Sequence, residues 1–456
     1  MRGFFFVSRY WTGTTLCGLL LLVVGSGFSN TAISPEGGWV ERFSIWHTVN
    51  EMRALRSPHS ANLAWFEAPI LRSYLYLFSA TGDTVWLERF VFHADSVVRL
   101  MRDVPAEGVY WQGYQDGFLG WGTTVYDPQG RYQEYLVHDA VICLPLARFV
   151  LMVYENPGLR LRFWEQARVY QLVVEQQVLA KWFINWKAAR GTGEDLEHFG
   201  GWENLPWNQA LSMGELILVF NDIRRSPFYQ PGKFSLPDWF YEQVPDSMAK
   251  AFHDNLILDL ENDCLVWGHR AGKPRWEDIA HANLDISFAL EAGGRGFVFQ
   301  EQDLQGMGRS LWKLVLDRHS DRFVLRRFVN GSGGVDTVYA LEMWTALAKF
   351  EPAVREVVIR AIAGVPVARM NVSMAVTCAR LALESDATEQ EAQMRAGVEV
   401  GETGLRRWDA KTLFLSGEIS DVVFDAAGRR VRFSQRAQLG SGIYFSLSGR
   451  RVLVLP

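Results

Sequence analysis

Between Gly38 and Ser385 apolar residues return with the 3.6-residue period of amphipathic helices, and the links between the runs are alternately short and long. The period predicts twelve helices, at 38–56, 60–79, 83–102, 134–155, 159–181, 205–223, 238–260, 279–293, 300–320, 335–350, 352–366 and 368–385. Punctuation falls where helix ends are expected: Ser60 ahead of a long apolar run, Thr81-Gly82-Asp83 and Asn156-Pro157-Gly158 between runs, and Pro206 in a first turn. Links after 60–79, 134–155, 279–293 and 335–350 are a few residues, whereas those after 83–102, 159–181, 238–260 and 300–320 are about 15 to 30. Successive antiparallel helices point up and down in turn, so the long links must gather at one end. Such hairpins close most naturally into a double ring, six helices inside six, with a decorated rim at the inner N-termini.

Those inner starts carry polar and aromatic residues where a core helix prefers aliphatic ones. Asn62, Trp65 and Glu67 open one; Glu134, Tyr135, His138 and Asp139 another; Asn204, Trp207, Asn208 and Gln209 a third; Asp336, Tyr339 and Glu342 a later one. Any one cluster is explained by capping and a solvated first turn, but their recurrence on a single rim points to a concave binding site.

The least scaffold-like stretch is WGHRAGKPRWEDIAHANLDISFAL, from Trp267 to Leu290. On a helix Asp278, His281 and Asp285 share one stripe, about a turn apart, so two carboxylates are expected to flank an imidazole. A histidine so placed is expected to titrate near neutral pH and a half-buried carboxyl to hold its proton, the materials of acid and base work. The plainer account makes Asp278 a helix cap, Glu277 a companion to the helix dipole and His281 a satisfied core residue.

The long links are rich in aromatics: YWQGYQDGFLGWGTTVYDPQG (110–130), with Trp111 and Tyr114; WFINWKAARGTGEDLEHFGGWENLPW (182–207), with Trp202 and Glu203; and WGHRAGKPRW (267–276), with Trp267, Arg275 and Trp276. Aromatic faces beside amides and carboxylates suit a sugar, whose C–H faces stack while its hydroxyls need donors and acceptors. Asn208 and Asp285 complete the expected binding set, and Arg322, Arg326 and Arg327 favour an anionic sugar such as a uronate.

Arg2 and Arg9 precede an apolar run from Leu16 to Val24 and small residues, so 1–32 reads as a signal peptide, with cleavage after Ser29 or Ala32. Its removal takes away two arginines, moving the formal charge from −5 to −7, unsuited to nucleic acid. Cys143, Cys264 and Cys378 remain, far apart and without metal-ligand spacing, so buried thiols are expected rather than a disulfide framework or a structural zinc. No metal or cofactor is expected, although His138, His281 and Asp285 could meet in space. Residues 33–386 thus form the helical domain and 387–397 a linker. From 398 to 456 the segments KTLFLS, DVVFD, RRVRF, GIYFSL and RRVLVL alternate as strands and predict a small β-sandwich.

Two resemblances arise from these residues. The tail, with Asp425, Gly428 and Arg429 in a turn, Gly442 to Phe445 in a strand and a basic-then-apolar end, resembles the C-terminal sorting domains of type IX-secreted proteins. That implies an extracytoplasmic protein of a two-membrane bacterium, secreted, cell-surface or periplasmic, with an outer-membrane export machinery as partner. The helical region resembles the six-hairpin (α/α)6-toroid superfamily of carbohydrate-active enzymes, with the turn Thr81 to Asp83 as a minor echo. The resemblance implies a glycosidase, a polysaccharide lyase or a related epimerase.

Two mechanisms stay open at this level. An inverting hydrolase needs an acid and a base ~6.5–9.5 Å apart, with Asp278 or Glu277 facing Asp139, Glu134 or Glu203. A uronate lyase needs Tyr or His to take the proton beside the carboxylate and Asn, His or Arg to neutralise it. Tyr135 and His138, opposite His281, Asn208 and Arg275, fit that division. A non-catalytic glycan-binding or surface-assembly protein is the alternative outside enzymology, and a terpene-cyclase-like ring is disfavoured by the lack of an aspartate-rich motif.

Overall fold

The computed structural model describes residues 38–51, 55, 57–104, 117–189, 205–272, 275–317, 320 and 323–385, with four strands between 422 and 455. The fold is mainly helical. Twelve helical segments stand among the described residues: α1 (Trp39–Asn50), α2 (60–81), α3 (Val85–Arg99), α4 (Leu136–Glu155), α5 (157–189), α6 (Trp207–Arg225), α7 (Asp238–His253), α8 (Ile279–Gly294), α9 (301–315), α10 (Glu342–Ala346), α11 (Ala353–Ala363) and α12 (372–385). Each corresponds to one expected run, with shifted ends. The run expected at 335–350 shortens most at its start, because Tyr339 has φ +50° and Asp336 accepts from the Tyr339 amide at 2.7 Å, a loop turn rather than a helical one. The run at 238–260 stops at His253 and gives way to an antiparallel hairpin, Ile257–Asp259 with Cys264–Val266.

Local chemistry sets the ends. Asn156 accepts from the Gly158 and Leu159 amides with Pro157 behind it, Gln300 and Asp303 form a reciprocal capping box, and Gly82 closes α2 at φ +66°. Helix α4 is apolar nearly all round and could by length cross a membrane, but 83% of its apolar window is buried among its neighbours, which makes it a core helix. Helices α2, α4, α6, α8 and α10 form a row in which each packs on the next, and α3, α5, α7, α9 and α11 each pack on the row member before them. Arg72 of α2 donates twice to Glu342 of α10, at 2.7 Å each, and Arg42 and Trp46 of α1 donate to carbonyls of Ile362, Val365 and Met370.

Short ladders brace the loops: Arg102–Asp103 with Leu119–Gly120, and Gly122–Thr123 with Gln133–Glu134. A Cβ at Gly120 would overlap the Glu134 carboxylate, so the close approach of these strands requires glycine there. Cys143, Cys264 and Cys378 are buried free thiols, as the sequence implies. In the tail, Val422–Asp425, Arg430–Arg432, Gly442–Ser446 and Val452–Leu455 form one antiparallel four-stranded sheet in which the third strand lies between the first and the fourth. The described residues of the tail form this one sheet, and the KTLFLS strand of the expected sandwich lies outside them.

Candidate functional site

A cavity of about 600 Å³ opens among the first turns of the row helices. Trp65 comes from α2, Tyr135 and His138 from the start of α4, Asn208 and Gln209 from α6, and His281 and Asn283 from α8. His269 and Arg275 reach it from the loop ahead of α8, Tyr126 from the loop ahead of α4, and Arg72 and Glu342 from its floor helices. The spacing argument therefore brings four separate helix starts to one opening. Trp65 and Glu67 sit in a π-helical turn, Leu63–Glu67, of the kind that often re-aims side chains at functional sites.

One wall carries neutral groups. His138 is buried among the rings of Trp65, Tyr126 and Tyr135, with centroids 5.3–5.5 Å away, and its Nδ1 meets Ser60 Oγ at 2.9 Å. Burial pushes its pKa down to about 3, so at neutral pH the ring is uncharged. The Tyr135 hydroxyl accepts from Gln133 at 2.9 Å. Asn208 is almost fully buried, and its Oδ1 has no hydrogen-bond partner among the described residues.

Another part of the lining is built by the hairpin before α8. His269 N donates to Arg275 O and Glu277 N to Trp267 O, two rungs that set His269 and Glu277 side by side, with His269 Nδ1 3.0 Å from Glu277 Oε1. Asp278 is the α8 cap, accepting from His281 N at 3.0 Å, while its Oδ2 lies 2.8 Å from His281 Nδ1. Burial works against charge on His281, but Asp278 and Glu277 outweigh it and lift the imidazole to about 10. Burial also works against ionisation of Asp278, yet His281 holds its carboxyl down at about 2. Glu277, buried and facing both imidazoles, is likewise held below its ordinary range.

Several expectations change accordingly. His281 is held well above neutrality, because the two acids that adjoin it are Asp278 and the buried Glu277 rather than Asp278 and Asp285. Asp278 does not hold a proton. Asp285 leaves the stripe and turns inward, where Trp267 Nε1 donates to it at 2.9 Å; burial, then the charge of Glu277, push its pKa well up. Trp267 is no sugar platform, being fully buried and stacked on Trp344 at 6.3 Å. Trp276 lines a separate cleft with Ile257, Gly268 and Arg270. Asp139 and Glu134 are buried around the Lys181 ammonium, 2.7 Å from Asp139, and Trp182 Nε1 donates to Asp139 at 2.8 Å, so neither carboxylate faces the cavity. Trp111, Tyr114, Trp202 and Glu203 lie outside the described residues.

Arg72, Tyr126 and His269 are among the lining residues that the sequence did not single out. Arg72 sits mid-helix with no local signal, but the hairpin around Gly272 could have placed His269 opposite Glu277.

Two groups have metal-ligand spacing among the described residues, His269/Glu277/His281 at the cavity and His47/Glu51/His93 between α1 and α3. Another cavity, of about 660 Å³, lies at the far ends of the row helices, where Arg148 and Arg295 are already matched by Glu291. Comparison with protein-family models, with curated proteins and with solved structures finds no match to this chain.

Proposed function

We propose that the chain is an extracytoplasmic carbohydrate-active enzyme that cleaves an anionic polysaccharide at a uronate by β-elimination, with the helical hairpins closed into an (α/α)6 ring around the cavity. The observation that carries this reading is the charge of the lining. Glu342 is the one carboxylate among the described lining residues, and it is held by Arg72 and Tyr76, whereas His281 and Arg275 present positive charge. A hydrolase would need two carboxyls facing its sugar, and Asp278, Glu277, Asp139 and Glu134 are capping, ion-paired or buried outside the lining, while Glu203 lies outside the described residues.

In the elimination, Arg275, His281 and Asn208 bind the uronate carboxylate and neutralise the charge that builds as the C5 proton leaves. Tyr135, as the phenolate, takes that proton and, as the phenol so formed, gives it to the departing O4, with the neutral His138 ring packed beside it. The C5–H pair becomes the C4=C5 double bond, the C4–O4 bond breaks with its electrons on oxygen, and the departing oxygen takes a proton from the same wall. An epimerase would use the same abstraction and return the proton to the other face. The ring closure is supported by the row packing and by the Arg72–Glu342 pair between its first and last members.

Incubation with a panel of polyuronates and neutral glycans tests the proposal. Ultraviolet-absorbing unsaturated ends are expected from a polyuronate; new reducing ends without that absorbance would identify a hydrolase instead.

A further inference from the structure

We propose that His269, Glu277 and His281 bind one divalent transition-metal ion of the zinc type beside the cavity that the two histidines line. His269 Nδ1 lies 3.0 and 3.1 Å from the two Glu277 oxygens, and His281 Nδ1 lies 3.6 Å from Glu277 Oε1 and 2.8 Å from Asp278 Oδ2. Donors that share a tetrahedral zinc at ~2.0–2.2 Å stand roughly 3.3–3.5 Å apart, so small side-chain shifts close the sphere. Two imidazoles with carboxylates are the donor set that zinc and neighbouring transition ions take, whereas calcium and magnesium prefer all-oxygen sites.

The donors are also held in advance. Hairpin rungs fix His269 against Glu277, the cap fixes Asp278 against His281, and the Asp278 amide donates to Glu277 Oε1 at 3.0 Å. His281 Nδ1 is buried and faces both Asp278 and Glu277, so an ion binding there takes the place of the proton that these carboxylates otherwise hold on the ring. An ion there would keep positive charge on the wall that His281 otherwise supplies.

The second histidine group argues by contrast. Arg89 donates to His47 Nδ1 at 3.1 Å, His47 Nε2 meets Tyr74 Oη at 2.5 Å, Tyr74 Oη meets His93 Nε2 at 3.1 Å, and His93 Nδ1 meets Glu67 at 2.6 Å. One set of tautomers satisfies that whole chain, each ring donating once and accepting once, so no imidazole lone pair is left for a metal. In the hairpin group both imidazole Nδ1 atoms face the one Glu277 carboxylate, so a single ion can reach all three residues.

The ion is read from its donors, so its test needs no substrate. Full-length protein stripped with a chelator, soaked in zinc and dialysed should retain one zinc per chain by elemental analysis. His269→Ala and His281→Ala should each lose it, while His253→Ala, at a half-buried histidine beside Asp303 that does not line the cavity, should keep it. Cobalt(II) loading of the stripped protein should give the visible bands of a four-coordinate site, absent from His269→Gln, a milder change that guards against misfolding. Wild-type protein without stoichiometric zinc, or folded His269 and His281 variants that keep it, would overturn the site.

Discussion

At the scale of single residues, position on a helix start is readable from sequence but the direction of each side chain is not. Asp139 and His138 are adjacent in the chain, yet one turns to Lys181 and the other to the cavity. Lys181 lies about 40 residues on, in a segment with no local sign of an ion pair, so nothing short of the fold could disclose it. Removing Lys181 leaves two buried carboxylates without their cation, and Lys181→Met is expected to cost ~3–5 kcal/mol in urea denaturation. A loss below ~1 kcal/mol would return Asp139 to the list of catalytic acids. His138 has its folded pKa near 3, below the ordinary 6.5, so the unfolded chain binds more protons between those values. Its contribution therefore makes stability fall as pH drops through that window, and His138→Gln should show a shallower decline in denaturation midpoints between about pH 6 and pH 4.

At the scale of elements, the twelve helical runs were legible because buried stripes impose a 3.6 period over long stretches. Their exact ends were not, since Tyr339 in a left-handed turn and the hairpin after His253 depend on tertiary partners. The N-terminus of α8 shows both sides: Asp278 does cap, as its position implies, and its charge also sets that of His281. Asp278→Ala is expected to lose ~1 kcal/mol of stability, and Asp278→Asn, which can still cap, to lose only a few tenths. Equal losses would mean that the charge rather than the cap holds the helix start. Between elements, Arg72 and Glu342 form a bidentate pair that spans the row, and Arg72→Met should destabilise by ~3–5 kcal/mol by leaving Glu342 buried without its partner. Replacing both, with Glu342→Leu added, should recover much of that loss.

For the whole molecule, alternation of short and long links foretold that distant helix starts share one opening, and Trp65, Tyr135, Asn208 and His281 do line it together. The sugar platforms proposed in the long links at 110–130 and 182–207 rest on sequence alone, and the tail's described residues form one sheet of the expected strands. Export is tested by fractionating cells that express the whole chain: the mature protein should lie outside the cytoplasm and begin after Ser29 or Ala32, whereas a cytoplasmic chain retaining Met1 would remove the secretion reading. The central claim, that one wall of the cavity takes a proton from a uronate while the other neutralises its carboxylate, is tested most directly by following the sugar C5 hydrogen by NMR during turnover in heavy water. Loss of the C5–H signal in wild-type protein, abolished in Tyr135→Phe and in His281→Ala, is the predicted result; cleavage that leaves every C5–H in place would contradict it.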